Sequence, residues 1–221
     1  MTSPETNLVV EWRGRERYAG TWQRQLELHE KRRNGECPDT LVLVEHEPVI
    51  TLGRQGDLAN LLLSEEMLQA KGVDFHRVER GGDITFHGPG QLVGYPIISL
   101  KERGLSVREL MRGLEEALIR TVAEYGITAG RQEGLTGVWL KDEKLAALGV
   151  AVKNAISFHG FALNVATDLD YFSLIVPCGI TDKRVASIST VTGREVTVDE
   201  VRVPAAKHLG EVFGYDGIVG M

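Results

Sequence analysis

Apolar residues recur along this chain with two periods, and the switches between them mark out its elements. Residues 8–12 predict a short strand. Over 18–33, Trp22, Leu26, Leu28 and His29 recur at helical spacing among charges, and Asn34-Gly35 supplies a stop. Residues 40–45 are apolar enough for a buried strand, and 49–52 predict another after Pro48. Residues 64–71 read as a short helix, with Ser64 as N-cap and Gly72 at its end. Three strands follow at 75–79, 84–87 and 92–98, the last two separated by the turn Gly88-Pro89-Gly90. The strongest helical pattern covers 106–125, with Val107, Leu110, Met111, Leu114, Leu118 and Val122 in one stripe. Ser106 and Glu109 form a capping-box pattern at its start, and Gly126 ends it. Residues 137–140, 145–152 and 156–164 predict a meander that turns at Lys141-Asp142 and Lys153-Asn154. A short helix at 168–174 and a longer one at 199–213, with Val201, Ala205, Leu209 and Val212 on one face, complete the series.

Helices at separate points with hairpin-linked strands between them predict an α/β (α+β) fold, a mixed β-sheet flanked by helices. Strict βαβ alternation is absent, which argues against a Rossmann sheet. No linker or repeat divides the chain, so one domain is expected over 1–221, long enough to bury a core.

Net charge is −6, from 25 basic and 31 acidic residues, which argues against nucleic-acid binding. Arg13, Arg15, Arg17, Arg24, Lys31, Arg32 and Arg33 nevertheless cluster near the N-terminus. They read as a solvated helix face or, more sharply, as a dock for an acidic protein. No apolar run approaches the roughly 20 residues of a membrane span, and the first 17 residues lack the apolar stretch of a secretory signal. A cytoplasmic protein without membrane attachment is expected. Cys37 and Cys178 are too few for a disulfide framework, and the six histidines show no metal-ligand spacing, so no metal is expected.

Three segments could carry chemistry. Arg80-Gly81-Gly82-Asp83-Ile84-Thr85-Phe86-His87-Gly88-Pro89-Gly90-Gln91 packs glycines between strands, where backbone can pass close to a ligand or simply turn sharply. It matches neither a P-loop nor a dinucleotide fingerprint. In Val176-Pro177-Cys178-Gly179-Ile180 the thiol is held between Pro and Gly, open either to nucleophilic use or to inert burial. Cys37 follows a helix in a loop with nothing to activate it. Lys144 stands at the mouth of the apolar strand Leu145-Ala146-Ala147-Leu148-Gly149-Val150, where it either reaches solvent beside Glu143 or points into a pocket. A thiol of pKa about 8.5 is mostly protonated at neutral pH, and lowering it to about 7 takes about 2 kcal/mol. An ammonium at about 4 Å contributes on the order of 4 kcal/mol at an effective dielectric of about 20. One lysine therefore suffices to activate a cysteine.

Taken together, these segments resemble the octanoyltransferases of lipoate biosynthesis. The likeness rests on the run from Arg80 to His87 with Gly90-Gln91 and Tyr95, then Lys144 with Ala147-Leu148-Gly149, His159-Gly160-Phe161-Ala162-Leu163-Asn164 and Pro177-Cys178-Gly179-Ile180, in that order. The upstream segment Leu43-Val44-Glu45-His46-Glu47-Pro48-Val49-Ile50-Thr51-Leu52-Gly53-Arg54 shares it, so the resemblance covers roughly residues 8–200. Ala186-Ser187-Ile188 departs from the family's more usual Thr-Ser-Leu.

The resemblance implies a fold similar to the catalytic domain of biotin and lipoate protein ligases. It implies Cys178 as acyl-thioester nucleophile and Lys144 as the group that lowers its pKa. It implies a substrate site lined by Arg80, Gly81, Gly82, Asp83, Ile84, Thr85, Phe86, His87, Ala147, Leu148, Gly149, Gly160, Phe161 and Ala162. The implied reaction needs no cofactor of its own. It takes an octanoyl group from the phosphopantetheine of acyl carrier protein to a lysine on a lipoyl domain. The implied acceptors are the E2 subunits of 2-oxoacid dehydrogenases and the glycine cleavage H protein, and the enzyme is expected as a monomer. Three other readings stand beside it. An ATP-dependent lipoate or biotin ligase would not need Cys178. A non-catalytic module would bind acyl chains or lipoyl domains. A cysteine hydrolase would need a His–Asn/Asp pair that the sequence does not offer.

Overall fold

The computed structural model describes residues 7–176 and 184–220. In chain order the elements are β1 (Asn7–Glu16), α1 (Tyr18–Arg33), β2 (Thr40–His46), β3 (Val49–Leu52), α2 (Glu65–Ala70), β4 (Asp74–Arg77), β5 (Ile84–His87), β6 (Gln91–Ile97), α3 (Leu100–Arg103), α4 (Val107–Ala123), β7 (Gly130–Gln132), β8 (Leu135–Leu140), β9 (Glu143–Lys153), β10 (Ile156–Asn164), β11 (Arg184–Val185), α5 (Ile188–Thr192), α6 (Val198–Val212) and β12 (Gly217–Val219). Short 3-10 turns lie at Leu58–Asn60 and Leu169–Leu174.

Two sheets form among the described residues. The larger runs β12-β1-β2-β6-β10-β9-β8-β7, with β11 added beside β9. It is mixed: β1 pairs in parallel with β2 and β12, whereas β2, β6, β10, β9, β8 and β7 pair antiparallel in turn. The smaller sheet is β4-β3-β5. The turn Gly88-Pro89-Gly90 therefore does not close a hairpin. It carries the chain from the small sheet to the centre of the large one.

Period-two alternation explains how the large sheet is buried on both faces. On β2, Leu41 and Leu43 face the core beneath α4 and α6, where Leu110, Leu114, Leu118, Val201 and Leu209 pack. Val42 and Val44 face the opposite core with Val93, Tyr95, Ile97 and Phe158, closed by Tyr18 and Leu28 of α1. Tyr18, at the start of α1, is 1% exposed and roofs this second core. The small sheet has its own cluster of Ile50, Leu52, Leu68, Ile84, Phe86 and Ile175.

Side-chain caps fix the starts of α2 and α4. Ser106 accepts from the Glu109 amide at 3.2 Å while Glu109 accepts from the Ser106 amide at 2.7 Å, as the sequence pattern predicts. Ser64 caps α2 by accepting from the Met67 amide. Val107 leaves the predicted core stripe. It is 47% exposed, at the first position of α4, where it borders the cavity described below.

Candidate active site

The glycine-rich segment is clamped between the two sheets by its backbone. The amide of Gly81 donates to the Val150 carbonyl of β9 at 2.9 Å. The amide of Arg54 donates to the Arg80 carbonyl, and that of Gly53 to the Asp83 carbonyl, both at 3.0 Å. Such close passage needs residues without Cβ. A Cβ on Gly149 would stand 2.7 Å from the Gly81 carbonyl oxygen. The buried Arg80 guanidinium holds the clamp shut, donating to the Thr51 carbonyl at 2.6 Å, the Thr51 hydroxyl at 2.9 Å and the Gly81 carbonyl at 3.1 Å. Asp83 is likewise engaged, accepting from the Asn60 side chain at 2.6 Å and the Asp57 amide at 3.2 Å.

A cavity of about 520 Å³ opens between this clamp, the β9–β10 surface and α4. It gathers Arg80, Gly81, Gly82, Asp83, Ile84, Thr85 and His87 on one side, with Lys144, Ala147, Leu148, Gly149, Gly160, Phe161 and Ala162 on the other. Residues more than sixty positions apart in the chain thus share one wall. Phe86 is the exception among the described residues assigned to the site from sequence. Strand alternation turns its ring away into the small core, stacked on Tyr171 at 4.6 Å and 1% exposed. The cavity also recruits Tyr18, Met111, Trp139 and Arg184 from distant elements. Nothing in their local sequence announces this, because only the tertiary fold brings them in. Gln91, Tyr95, His159 and Asn164, which lie within the quoted motifs, line it too.

Lys144 faces the cavity. Its ammonium lies 4.7 Å from the centre of the Trp139 ring, within cation–π range. Opposite it in register, β11 pairs in parallel with β9 through Val185 and Lys144, and the Ala186 amide donates to the Lys144 carbonyl at 3.0 Å. On the other flank, the Val176 amide donates to the Asn60 carbonyl at 2.8 Å. Cys178 lies outside the described residues. The described chain on either side of 177–183 is fixed, and Arg184 and Val185 line the cavity. Cys37 sits elsewhere, beside the Leu28 carbonyl. Burial pushes its thiol up, and so makes it less nucleophilic.

Three histidines stand at this wall, His87 and His159 in its lining and His46 behind it. Burial first, then the neighbouring His46 charge, pushes His87 down to about 3, so its imidazole is neutral. Burial likewise lowers His46 to about 4. His159 is also lowered by burial, against the opposing pull of Glu79 at 3.4 Å. His159 adopts a left-handed φ of 54°, rare for a non-glycine residue, and its amide is held by the Gln25 side-chain oxygen at 2.8 Å. Gln91 accepts from His87 Nδ1 at 2.8 Å and donates to Asn164 at 2.8 Å.

Residues 17–210 match the family model described as the lipoyl protein ligase A/B catalytic domain. Among curated relatives, an octanoyltransferase of Koribacter versatilis is 48% identical over 89% of this chain and 80% of its own. One of Alkaliphilus metalliredigens is 47% identical over 92% of this chain and 94% of its own. In fold, the chain is similar to a lipoate-protein ligase A solved with ATP, at a TM-score of 0.72 and 18% identity over 97% of this chain and 90% of that one. It is similar at lower score to a biotin protein ligase from Aquifex aeolicus, at 0.52 and 14% identity over 95% of this chain and 69% of that one. The glycine clamp, the lysine-walled cavity and these similarities agree, and the chain belongs to the lipoyl protein ligase A/B catalytic-domain family, where it stands among the octanoyltransferases.

Proposed function

We propose that this protein transfers an octanoyl group from acyl carrier protein to the ε-amine of a lysine on a lipoyl domain, with Cys178 carrying the acyl group between them. The observation that carries the reading is the placement of Lys144. Its ammonium faces a cavity of about 520 Å³ where β11, the first described strand after the Cys178 segment, pairs with β9. An ammonium so placed favours thiolate over thiol. The thiolate attacks the carrier thioester carbonyl, and the pantetheine thiol leaves with a proton. The amine of the target lysine then attacks the enzyme thioester and forms an amide, returning the thiol. Exchange between thioesters is near neutral in energy, and the amide step is downhill, so the cycle runs without ATP. The apolar side chains Leu148, Phe161, Met111 and Val93 offer the acyl chain a dry wall, each buried methylene contributing about 0.8 kcal/mol.

The reading treats Arg80, Gly81, Gly82, Asp83, Ile84, Thr85, His87, Ala147, Leu148, Gly149, Gly160, Phe161 and Ala162 as the substrate walls, with Phe86 supporting them from behind. The E2 subunits of 2-oxoacid dehydrogenases and the glycine cleavage H protein are the proposed acceptors, and the enzyme acts as a monomer. Incubation with octanoyl carrier protein and a lipoyl domain, without ATP, tests it. Octanoylation of the lipoyl domain that disappears in Cys178→Ser is the expected result. Product that requires ATP, or that survives Cys178→Ser, overturns it in favour of ligase chemistry.

A further inference from the structure

The hydrogen bonds behind the cavity wall fix which atoms face inward. The Ala186 carbonyl only accepts, and Asn164 Nδ2 lies 3.1 Å from it, so Asn164 turns its Oδ1 toward Gln91. Gln91 Nε2 donates to that Oδ1 at 2.8 Å and to the Phe86 carbonyl at 3.3 Å. Two separate carbonyls thus pin the two amides in one orientation. The atom of Gln91 that lies 2.8 Å from His87 Nδ1 is therefore its oxygen, and the His87 proton sits on Nδ1. A neutral imidazole protonated there carries a lone pair on Nε2. No described residue bonds that nitrogen, and His87 lines the cavity.

The same logic applies to Tyr95. His46 Nδ1 lies 3.2 Å from the Glu16 carbonyl, so it carries the proton, and His46 Nε2 accepts from the Tyr95 hydroxyl at 2.8 Å. The Tyr95 proton is committed behind the wall, which leaves its oxygen lone pairs. The His87 and Tyr95 rings flank His46 at 6.1 Å and 6.0 Å, and both line the cavity. This part of the wall therefore offers two acceptors, His87 Nε2 and Tyr95 Oη.

We infer that His87 Nε2 and Tyr95 Oη form the seat for the neutral ε-amine of the acceptor lysine. The inference rests on the transfer reading above. A neutral primary amine brings two N–H donors for two acceptors and keeps its own lone pair for the thioester carbonyl. An amide of the carrier's pantetheine arm brings only one N–H. The buried Arg80 guanidinium nearby disfavours an ammonium, so the form that settles is the nucleophilic one.

The test separates the two half-reactions. In single-turnover assays, His87→Phe is expected to slow transfer to the lipoyl domain on the order of 10- to 100-fold more than it slows acylation of Cys178 by the carrier. His87→Gln, which restores an acceptor near Nε2, recovers part of the loss. Equal slowing of both steps, or a larger effect on self-acylation, assigns His87 to the donor and overturns the inference. Long-range proton–nitrogen spectra of histidine-labelled protein read the tautomer without any activity. A proton on His87 Nε2 there also overturns it, even where a variant fails to fold. Failure of the wild-type enzyme to take up an acyl group defeats the transfer reading instead, and leaves the tautomer result standing.

Discussion

On the proposed reading, a single charge, the Lys144 ammonium, decides how nucleophilic Cys178 is at neutral pH. With Lys144 in place the thiol is expected to ionise near neutrality; without it the thiol returns to about 8.5 and only a few per cent is thiolate at pH 7. Lys144→Ala should therefore cut self-acylation by well over tenfold at pH 7 and recover part of it toward pH 9. Stopped assays across that range check the prediction, and a variant with an unchanged rate and pH profile would contradict the dyad. That one lysine would suffice to activate a cysteine was legible in the sequence, because it follows from thiol chemistry, and Lys144 was the candidate. The bed of its ammonium on the Trp139 face was not, since Trp139 reaches the site only through the β8–β9 pairing.

At the scale of elements, the site depends on strands that pass unusually close. Gly149 on β9 stacks under the Gly81 carbonyl and the Arg80 side chain. Gly149→Ala should displace the clamp, at a cost of about 1–3 kcal/mol in urea unfolding, with a matching loss of transfer. A fully stable and active variant would show that the clamp is slack. The long elements were readable from periodicity: α1 spans the predicted 18–33, and the β8–β9–β10 meander follows the predicted order. The short elements α3, α5, β7, β11 and β12 were not, because they are shorter than one and a half helical turns or a few alternations and lack the apolar runs that mark β3 and β5. The position of Phe86 also escaped the sequence reading. It lies within the glycine-rich motif, yet alternation along β5 sends its ring to the opposite face from Thr85.

Over the whole molecule, charged groups tie distant ends of the chain together. Asp39 accepts from Arg32 at 2.8 Å, Arg103 at 3.0 Å, the Ser99 amide at 2.9 Å and the Tyr215 hydroxyl at 2.8 Å, and these bonds hold its carboxyl below the usual range. Asp39→Ala strips Arg103 of this partner and should cost about 3 kcal/mol, with Asp39→Asn milder. Equal stability of both variants and wild type in urea would refute that. The N-terminal arginines read from sequence as a solvated face are largely paired: Arg13 with Glu16 at 3.0 Å, Arg24 with Glu11 at 2.8 Å, Arg32 with Asp39. Acid should weaken the fold before carboxylates titrate. His46 and His87 are neutral in the folded state, at about 4 and about 3, while an unfolded histidine binds a proton near 6.5. The unfolded chain then holds more protons below that value, so stability falls as pH drops, by up to about 1.4 kcal/mol per histidine for each pH unit. Urea midpoints at pH 7 and pH 5 should differ in that direction; equal midpoints would contradict the buried neutral rings. The central claim is the acyl-enzyme itself, and intact mass with peptide mapping after mixing with octanoyl carrier protein, without ATP, tests it most directly. The account predicts an octanoyl adduct on Cys178 that vanishes when a lipoyl domain is added and reappears on its lysine. An unmodified Cys178, with the lipoyl domain unmodified as well, would contradict it.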